Sequence, residues 1–262
     1  MIEICEISPL FKGGSRLKAK ERDINRYAQQ YLDDYGFEKY QVEYRRKKII
    51  EILEKYKPES LLEIGCGISP IGLYYDTIGK YTIIEPSEMF CHTINEYFNR
   101  GRVEIINDYF SSSLIHDKDY DFILCSSLLH EIEKPDELLK EIYKVSNEKT
   151  IVHINVPNAD SFHRILARKM GIINSNNEIS NRNIILQQYR VFNMESLYEL
   201  VRKNKFEIIE QGSYFLKPFT HEQMNLLMEK GIIDHKVLDG LYQMGKEVYG
   251  SEIFVNAKKV NQ

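Results

Sequence analysis

"LLEIGCGISP", residues 61–70, runs from an apolar segment interrupted by one acid straight into a glycine turn. Glycines directly after a strand let the backbone turn sharply and approach a ligand that any Cβ would obstruct. Here they are Gly65, Gly67 and Gly72. A dinucleotide fingerprint, G-x-G-x-x-G/A, needs glycine or alanine at position 70, where Pro70 stands, and this disfavours an NAD-dependent oxidoreductase. A phosphate-binding loop, G-x-x-x-x-G-K-[ST], fits the spacing of Gly67 and Gly72. Leu73 and Tyr74 then follow where lysine and a hydroxyl residue are required, so a triphosphate would find no counter-charge. Both readings fail on a specific residue.

Outward from the turn, β-branched and aromatic runs recur at 61–64, 81–85, 103–106, 120–125 and 151–156, with helix-forming segments between them. "KPDELLKEIYKVS" is the clearest helix: Pro135 suits the first turn, Asp136 and Glu137 suit its positive end, and Leu138, Leu139, Ile142 and Val145 form one stripe. A second spans 194–204, with Asn193 as N-cap. "FEIIEQGSYFLKPF" and "EIFVNAKKV" read as two more strands separated by a helical insert near 221–249. Strand alternating with helix predicts an α/β fold: a seven-stranded, mostly parallel sheet with helices on both faces and the last strand antiparallel. The expected organisation is an N-terminal helical extension or lid over 1–57 and an α/β domain over 58–262. Arg45-Arg46-Lys47-Lys48 precede Ile49, Ile50, Leu53 and Tyr56, so this run reads as the solvated start of an amphipathic helix.

Hydrophobic-acid-hydrophobic-G-C-G resembles the first motif of class I S-adenosylmethionine (SAM) dependent methyltransferases, with Ser69 where many members carry a third glycine. Further matches follow in order. Twenty residues after Gly65, Glu85-Pro86-Ser87-Glu88-Met89-Phe90 resembles the family's D/E-x-S-x-x-M/L, Asn107-Asp108 closes the third run, and the segment through His130-Glu131 resembles the stretch after the fourth strand. The resemblance covers roughly residues 60–160 and implies a Rossmann-like methyltransferase fold. It also implies SAM as cofactor, with S-adenosylhomocysteine (SAH) as product. Carried over residue by residue, it implies a cofactor site of Glu63, Gly65, Cys66, Gly67, Glu85, Pro86, Met89, Asp108 and Ser126. Glu85 would accept from both ribose hydroxyls, Met89 would pack on the adenine, and Asp108 would either meet the adenine amino group or cap the next turn. Glu63 would either brace the glycine loop or touch the cofactor.

His130 is the best-placed candidate base, since neutral imidazole serves near pH 7; the other reading is that it only orients substrate. Glu131 would either assist it or simply be exposed. "INVPNADSF" and "QQYRVFNMESL" resemble segments of bacterial small-molecule and cell-envelope methyltransferases, with Gln188 where a histidine is common. This makes Asn158, Tyr189 and Arg190 acceptor candidates, Arg190 being equally readable as structural. Tyr27, Tyr31, Tyr35, Tyr40 and Tyr44 form either a lid, with Tyr31 against the substrate, or ordinary helix packing.

The totals narrow the partners. A net charge of -4 with scattered basic residues argues against nucleic acid, and the [DNS]-P-P-[YF] of amino-methylating nucleic-acid enzymes is replaced by Cys125-Ser126-Ser127-Leu128. Four cysteines without a C-x-x-C pair, an acidic start and no long apolar run predict a cytoplasmic protein with reduced thiols, no membrane partner and no required metal. A dimer is allowed but not required. The expected function is methylation of an O or N atom of a small polar metabolite, such as a sugar or phosphorylated precursor of a surface polysaccharide. The alternative is a non-catalytic SAM- or nucleoside-binding subunit that supports a partner enzyme.

Overall fold

The computed structural model describes residues 22–33, 36–98, 103–116 and 119–260. Tyr35, Cys5 and the first 21 residues of the expected extension lie outside the described residues. Strands β1 (Ser60–Ile64), β2 (Lys80–Ile84), β3 (Val103–Ile106), β4 (Phe122–Ser126), β5 (Ile151–Pro157), β6 (Phe206–Tyr214) and β7 (Glu252–Lys259) form one sheet in the order β3-β2-β1-β4-β5-β7-β6. β1 pairs in parallel with β2 and β4, and β5 with β4, whereas β7 runs antiparallel to both β5 and β6. The seven strands and the reversed last strand are as the sequence pattern predicts.

Period-two alternation explains why the strands are apolar on both faces. Leu61, Phe122 and Leu124 point into one core with Ile83 and Phe254; Leu62, Ile64, Ile123 and Cys125 point into the other with Val152 and Val255. The second core is closed by α4 (Pro135–Val145) and α7 (Met194–Lys203), through Leu138, Leu139, Ile142, Leu197 and Val201. Asn193 caps α7, its side chain accepting from the Ser196 N–H at 2.9 Å, and Pro135 opens α4.

The first core is closed by α1 (Ile24–Asp33), α2 (Glu38–Tyr56) and α3 (Glu88–Tyr97). The 221–249 segment joins it as α8 (His221–Glu229) and α9 (His235–Glu247), which bury Met224, Leu238 and Tyr242 in the same core. Two short helices, α5 (Phe162–Lys169) and α6 (Asn181–Ile185), follow β5.

The basic run departs from expectation. It lies in the middle of α2, not at a solvated start, and the Arg45 side chain is only 12% exposed. The helix begins at Glu38, where the turn after Phe37 lets apolar Tyr44, Ile49, Ile52 and Leu53 set one face. Arg45 falls on the edge of that face and turns toward the sheet.

Reversal of β7 has a direct consequence. Its first residue, Glu252, lies at the same edge as the carboxyl ends of β1, β2, β4, β5 and β6. Strand order reverses between β1 and β4, and ligands of open α/β sheets bind at such a switch point. No helix among the described residues is long and apolar enough to cross a membrane.

Candidate active site

At this carboxyl edge a single cavity extends from the glycine turn to the β7 start. Its first half is built by β1, β2 and β4. Gly65 takes φ 72° and Gly67 φ 58°, and the Gly65 N–H donates to the Ile84 carbonyl at 2.8 Å, which ties the turn to β2. Only glycine adopts such angles without strain. The Gly67 N–H then donates to Glu85 Oε2 at 3.0 Å, and the Ser87 N–H donates to Glu85 Oε1 at 2.9 Å. Glu85 therefore sits one residue beyond β2, at the N-terminus of α3, with each oxygen accepting one backbone N–H. Each oxygen keeps a further lone pair for an incoming donor.

Glu63 faces the turn from below. Its carboxylate accepts the Ile71 N–H at 3.0 Å and the Tyr81 hydroxyl, so Glu63 braces the loop while lining the cavity. Burial pushes the carboxyls of Glu63 and Glu85 up to about 7 each, opposed in each by the hydrogen bonds they accept. Ser69 is fixed from α2: Arg46 Nη2 donates to its Oγ at 3.0 Å, and the guanidinium carbon lies 3.5 Å from the Tyr74 ring centroid.

Beyond β4, the chain turns at Ser127 (φ 51°) and coils through a short 3-10 segment, Leu129–Glu131. His130 is 2% exposed, and its Nδ1 has no hydrogen-bond partner. Burial, with the charge of Arg45 assisting, lowers its pKa to about 3, so the ring is neutral and only weakly basic. Glu131 is buried beside His130, with Oε1 3.7 Å from His130 Nε2. Oε2 accepts from Arg22 Nη2 at 2.7 Å, and Oε1 from the Tyr27 hydroxyl and from Gln188 Nε2, each at 3.3 Å. It latches α1 over the cofactor half, where Tyr27 and Tyr31 line the cavity and Tyr31 meets Phe90 edge-on at 6.3 Å. Tyr40 and Tyr44 instead pack away from the lid, on His235 and Phe215.

The second half is built by the ends of β5, β6 and β7. Glu252, 2% exposed, accepts from Arg45 Nε at 2.9 Å, from Asn155 Nδ2 at 2.9 Å and from the Tyr214 hydroxyl at 2.8 Å. Asn158, His163, Arg182, Lys217, His221 and Ser251 complete the lining.

The structure gathers Glu63, Gly65, Cys66, Gly67, Glu85, Pro86, Ser126, His130, Glu131, Asn158 and Tyr31 around this one cavity. Four expected residues do not line it. Met89 packs on the apolar core beside α3. Asp108 is exposed, and its carboxylate accepts the Tyr109 N–H at 2.7 Å, the turn-capping alternative. The Tyr189 N–H donates to the His130 carbonyl at 3.0 Å, and Arg190 donates to the carbonyls of Ile132 and Glu133, which holds the loop after His130. Asn158, although in the lining, spends its amide on the Gly250 carbonyl at 2.8 Å and the Asp160 N–H at 2.9 Å. Burial pushes the Cys125 thiol up to about 12 and Cys66 well above its ordinary value, which disfavours the thiolate of either at neutral pH.

Arg45, Lys217 and Glu252 were missed by sequence reasoning. The available signals were a lone lysine inside "YFLKPF" and a lone acid opening "EIFVNA". Either is a cue for a buried charge with a task, because isolated charges are costly to bury.

A protein-family model described as "Methyltransferase domain" matches residues 32–211. The chain belongs to the methyltransferase-domain family. No curated protein matches this methyltransferase in sequence. Among solved structures it is similar to a SAM-dependent methyltransferase from Thermotoga maritima, described as a possible histamine N-methyltransferase. That match has 16% identity and a TM-score of 0.58, covering 92% of this chain and 97% of that one. It is also similar to the 1,6-didemethyltoxoflavin-N1-methyltransferase of Burkholderia thailandensis, at 13% identity and TM-score 0.59, covering 95% and 94%. The plantazolicin methyltransferase BpumL, crystallised with SAH, matches at 18% identity and TM-score 0.53, covering 91% and 90%. The family match makes this chain a methyltransferase-domain protein, and these solved structures share its fold.

Proposed function

We propose that this methyltransferase transfers the methyl group to an O or N atom of a small polar metabolite held in the second half of the cavity. One observation carries the reading. The cavity runs on from the Glu85 side to the β5–β7 side, and α1 is latched across it by Glu131, so the acceptor shares a roofed chamber with the cofactor. Matches to enzymes whose names specify a toxoflavin precursor and a histamine activity are in keeping with small-molecule chemistry. Reduced, free Cys66, Cys91 and Cys125 suit the cytoplasm. A sugar or phosphorylated precursor of a surface polysaccharide is one acceptor of this class.

The residues fit the cofactor on two features of the chain itself. A Cβ built on Gly67 would meet nothing within 4 Å, so the turn offers bare backbone to the chamber. Glu85 offers two lone pairs for paired ribose hydroxyls. Arg46, beside Ser69, is placed to meet the methionyl carboxylate. SAM, when bound, supplies a methyl group activated by its sulfonium. What remains for the protein is alignment, which can account for most of the acceleration. His130, neutral and with a free Nδ1, orients the acceptor by a hydrogen bond; as a base it is strong enough only for an acceptor proton that leaves easily.

The test is to incubate the protein with methyl-labelled SAM and a desalted small-molecule extract, alongside protein and nucleic-acid fractions. Label should enter the small-molecule fraction, and His130→Ala should lower turnover about tenfold to a hundredfold with SAH affinity kept. Label confined to macromolecules would overturn the acceptor class. Cofactor binding without transfer to any fraction would favour the non-catalytic subunit.

A further inference from the structure

Lys217 follows β6 in the turn toward α8 and is 7% exposed. Among the described residues its ammonium meets only the Gln41 Oε1, at 3.4 Å, a neutral amide. A buried cation without a carboxylate partner is expensive and is retained where a ligand supplies the counter-charge. Around it stand Arg182, paired with Glu38 at 3.6 Å, and the imidazoles of His163 and His221. Nδ1 of His163 and Nε2 of His221 are buried with no hydrogen-bond partner, as is Ser251 Oγ. Burial first, then the charges of Arg182 and Lys217, lowers His221 to about 3; burial with Lys217 and Arg164 holds His163 well below its ordinary value.

The charges lining this half do not cancel. Arg45, Arg164, Arg182 and Lys217 line it against Glu38 and Glu252, and both acids are already engaged by Arg45. Among the lining residues the cations outnumber the carboxylates by four to two, while Glu178 acts on Arg164, and Glu222 on Lys217 and His221, from outside the lining. Burial lowers the Lys217 ammonium to about 8, which still leaves it mostly charged at neutral pH.

We propose that the methyl acceptor is an anion whose carboxylate or phosphate oxygens rest on Lys217, with Arg182, His163 and His221 completing the seat. The inference rests on the chamber being the acceptor site. An oxyanion takes hydrogen bonds from the ammonium and from imidazole N–H groups, so it satisfies the orphaned nitrogens and the Lys217 charge together. Seated there, it fixes one end of the acceptor at the β6–α8 side and leaves the other end toward His130 and the cofactor half. Specificity for an anionic metabolite over its neutral analogue would follow.

The experiment titrates SAH-saturated protein with inorganic phosphate and, separately, with acetate, at constant ionic strength in chloride. At least one anion should bind saturably, and Lys217→Met should weaken it about tenfold or more while SAH affinity stays within about twofold. Lys217→Arg should retain binding. If the Met variant does not fold, His221→Gln replaces it, with an expected loss of about threefold or more. The arm that binds tells phosphate from carboxylate. Saturable binding to neither anion, or binding undiminished in the variants, overturns the proposal. Failure of SAH to bind the wild type would instead count against the methyltransferase reading, and the phosphate arm on unloaded protein would still report on Lys217.

Discussion

Glu85 is a buried carboxylate raised to about 7, chiefly by burial, while it accepts two backbone N–H bonds at the cavity wall. Ribose hydroxyls donate to the ionised form, so binding must favour loss of the proton. SAH affinity should therefore rise between about pH 6 and 8, with proton release detectable by calorimetry in buffers of different ionisation enthalpy. Glu85→Gln should flatten that profile. Stability of the unliganded protein has the opposite sign. The folded pKa values of Glu63 and Glu85 lie above their unfolded values, so their contribution is fully present below about pH 4.5 and is lost as pH rises through about 7. The difference in thermal melts between wild type and Glu85→Gln across pH 5–8, with SAH absent, checks this, because the lowered His130, His163 and His221 add stability with rising pH equally in both; a wild type that gains on the variant through that window would contradict it.

Glycine spacing, an acid twenty residues on, and a capped helix are local patterns, and each was readable because short-range geometry fixes it. Arg45 was not readable, since the carboxylate that buries it, Glu252, stands 207 residues away and reaches it only because β7 inserts between β5 and β6. For the same reason the run Arg45–Lys48 reads from sequence as the solvated start of a helix, although it lies mid-helix in α2. Arg190 shows the converse: a motif-like segment marks it as either an acceptor contact or structural, and the carbonyls of Ile132 and Glu133 take its guanidinium.

Among the elements, α9 positions the second half of the chamber. Gly245 lets the helix lie directly on the backbone where β6 ends, since a Cβ there would collide with the Phe215 and Leu216 amides. Ser213 Oγ donates to the Gly245 carbonyl at 2.6 Å, and the Leu216 N–H to the Leu241 carbonyl at 2.8 Å. Gly245→Ala should cost about 2–3 kcal/mol by urea melt, because the clash is with backbone and cannot be relieved by a rotamer. A neutral outcome would mean that α9 does not lie on the β6 exit as described. The latch is a different kind of element contact. Arg22→Ala removes the charged bond to Glu131 from the residue two before α1; it should speed SAH release about tenfold or more and, because it leaves a buried carboxylate unpaired, lower the melting temperature as well. Unchanged release would show that α1 does not hold the cofactor in.

At the scale of the molecule, one sheet serves two tasks along one edge. β1, β2 and β4 lead into the glycine turn, Glu85 and His130; β5 and β6 lead into Asn158 and Lys217, and the reversed β7 begins at Glu252. The Arg45–Glu252 pair joins the halves, with α2 supplying Arg46 to the glycine turn and Arg45 to the β5–β7 side. A buried ion pair that loses one partner costs about 3–5 kcal/mol, so Arg45→Ala should lower both stability and turnover. The two-task division also requires that the halves separate by mutation: variants at Glu85 should act on cofactor affinity, and variants at Lys217 on the acceptor.

That requirement makes one titration decisive. Wild-type protein and Glu85→Ala are titrated with SAH by calorimetry, with circular dichroism confirming that both are folded. Micromolar binding to the wild type, weakened about a hundredfold by loss of the two hydroxyl contacts, is the expected result. No binding to folded wild type, or equal binding to both proteins, would contradict a cofactor seated on the glycine turn and Glu85.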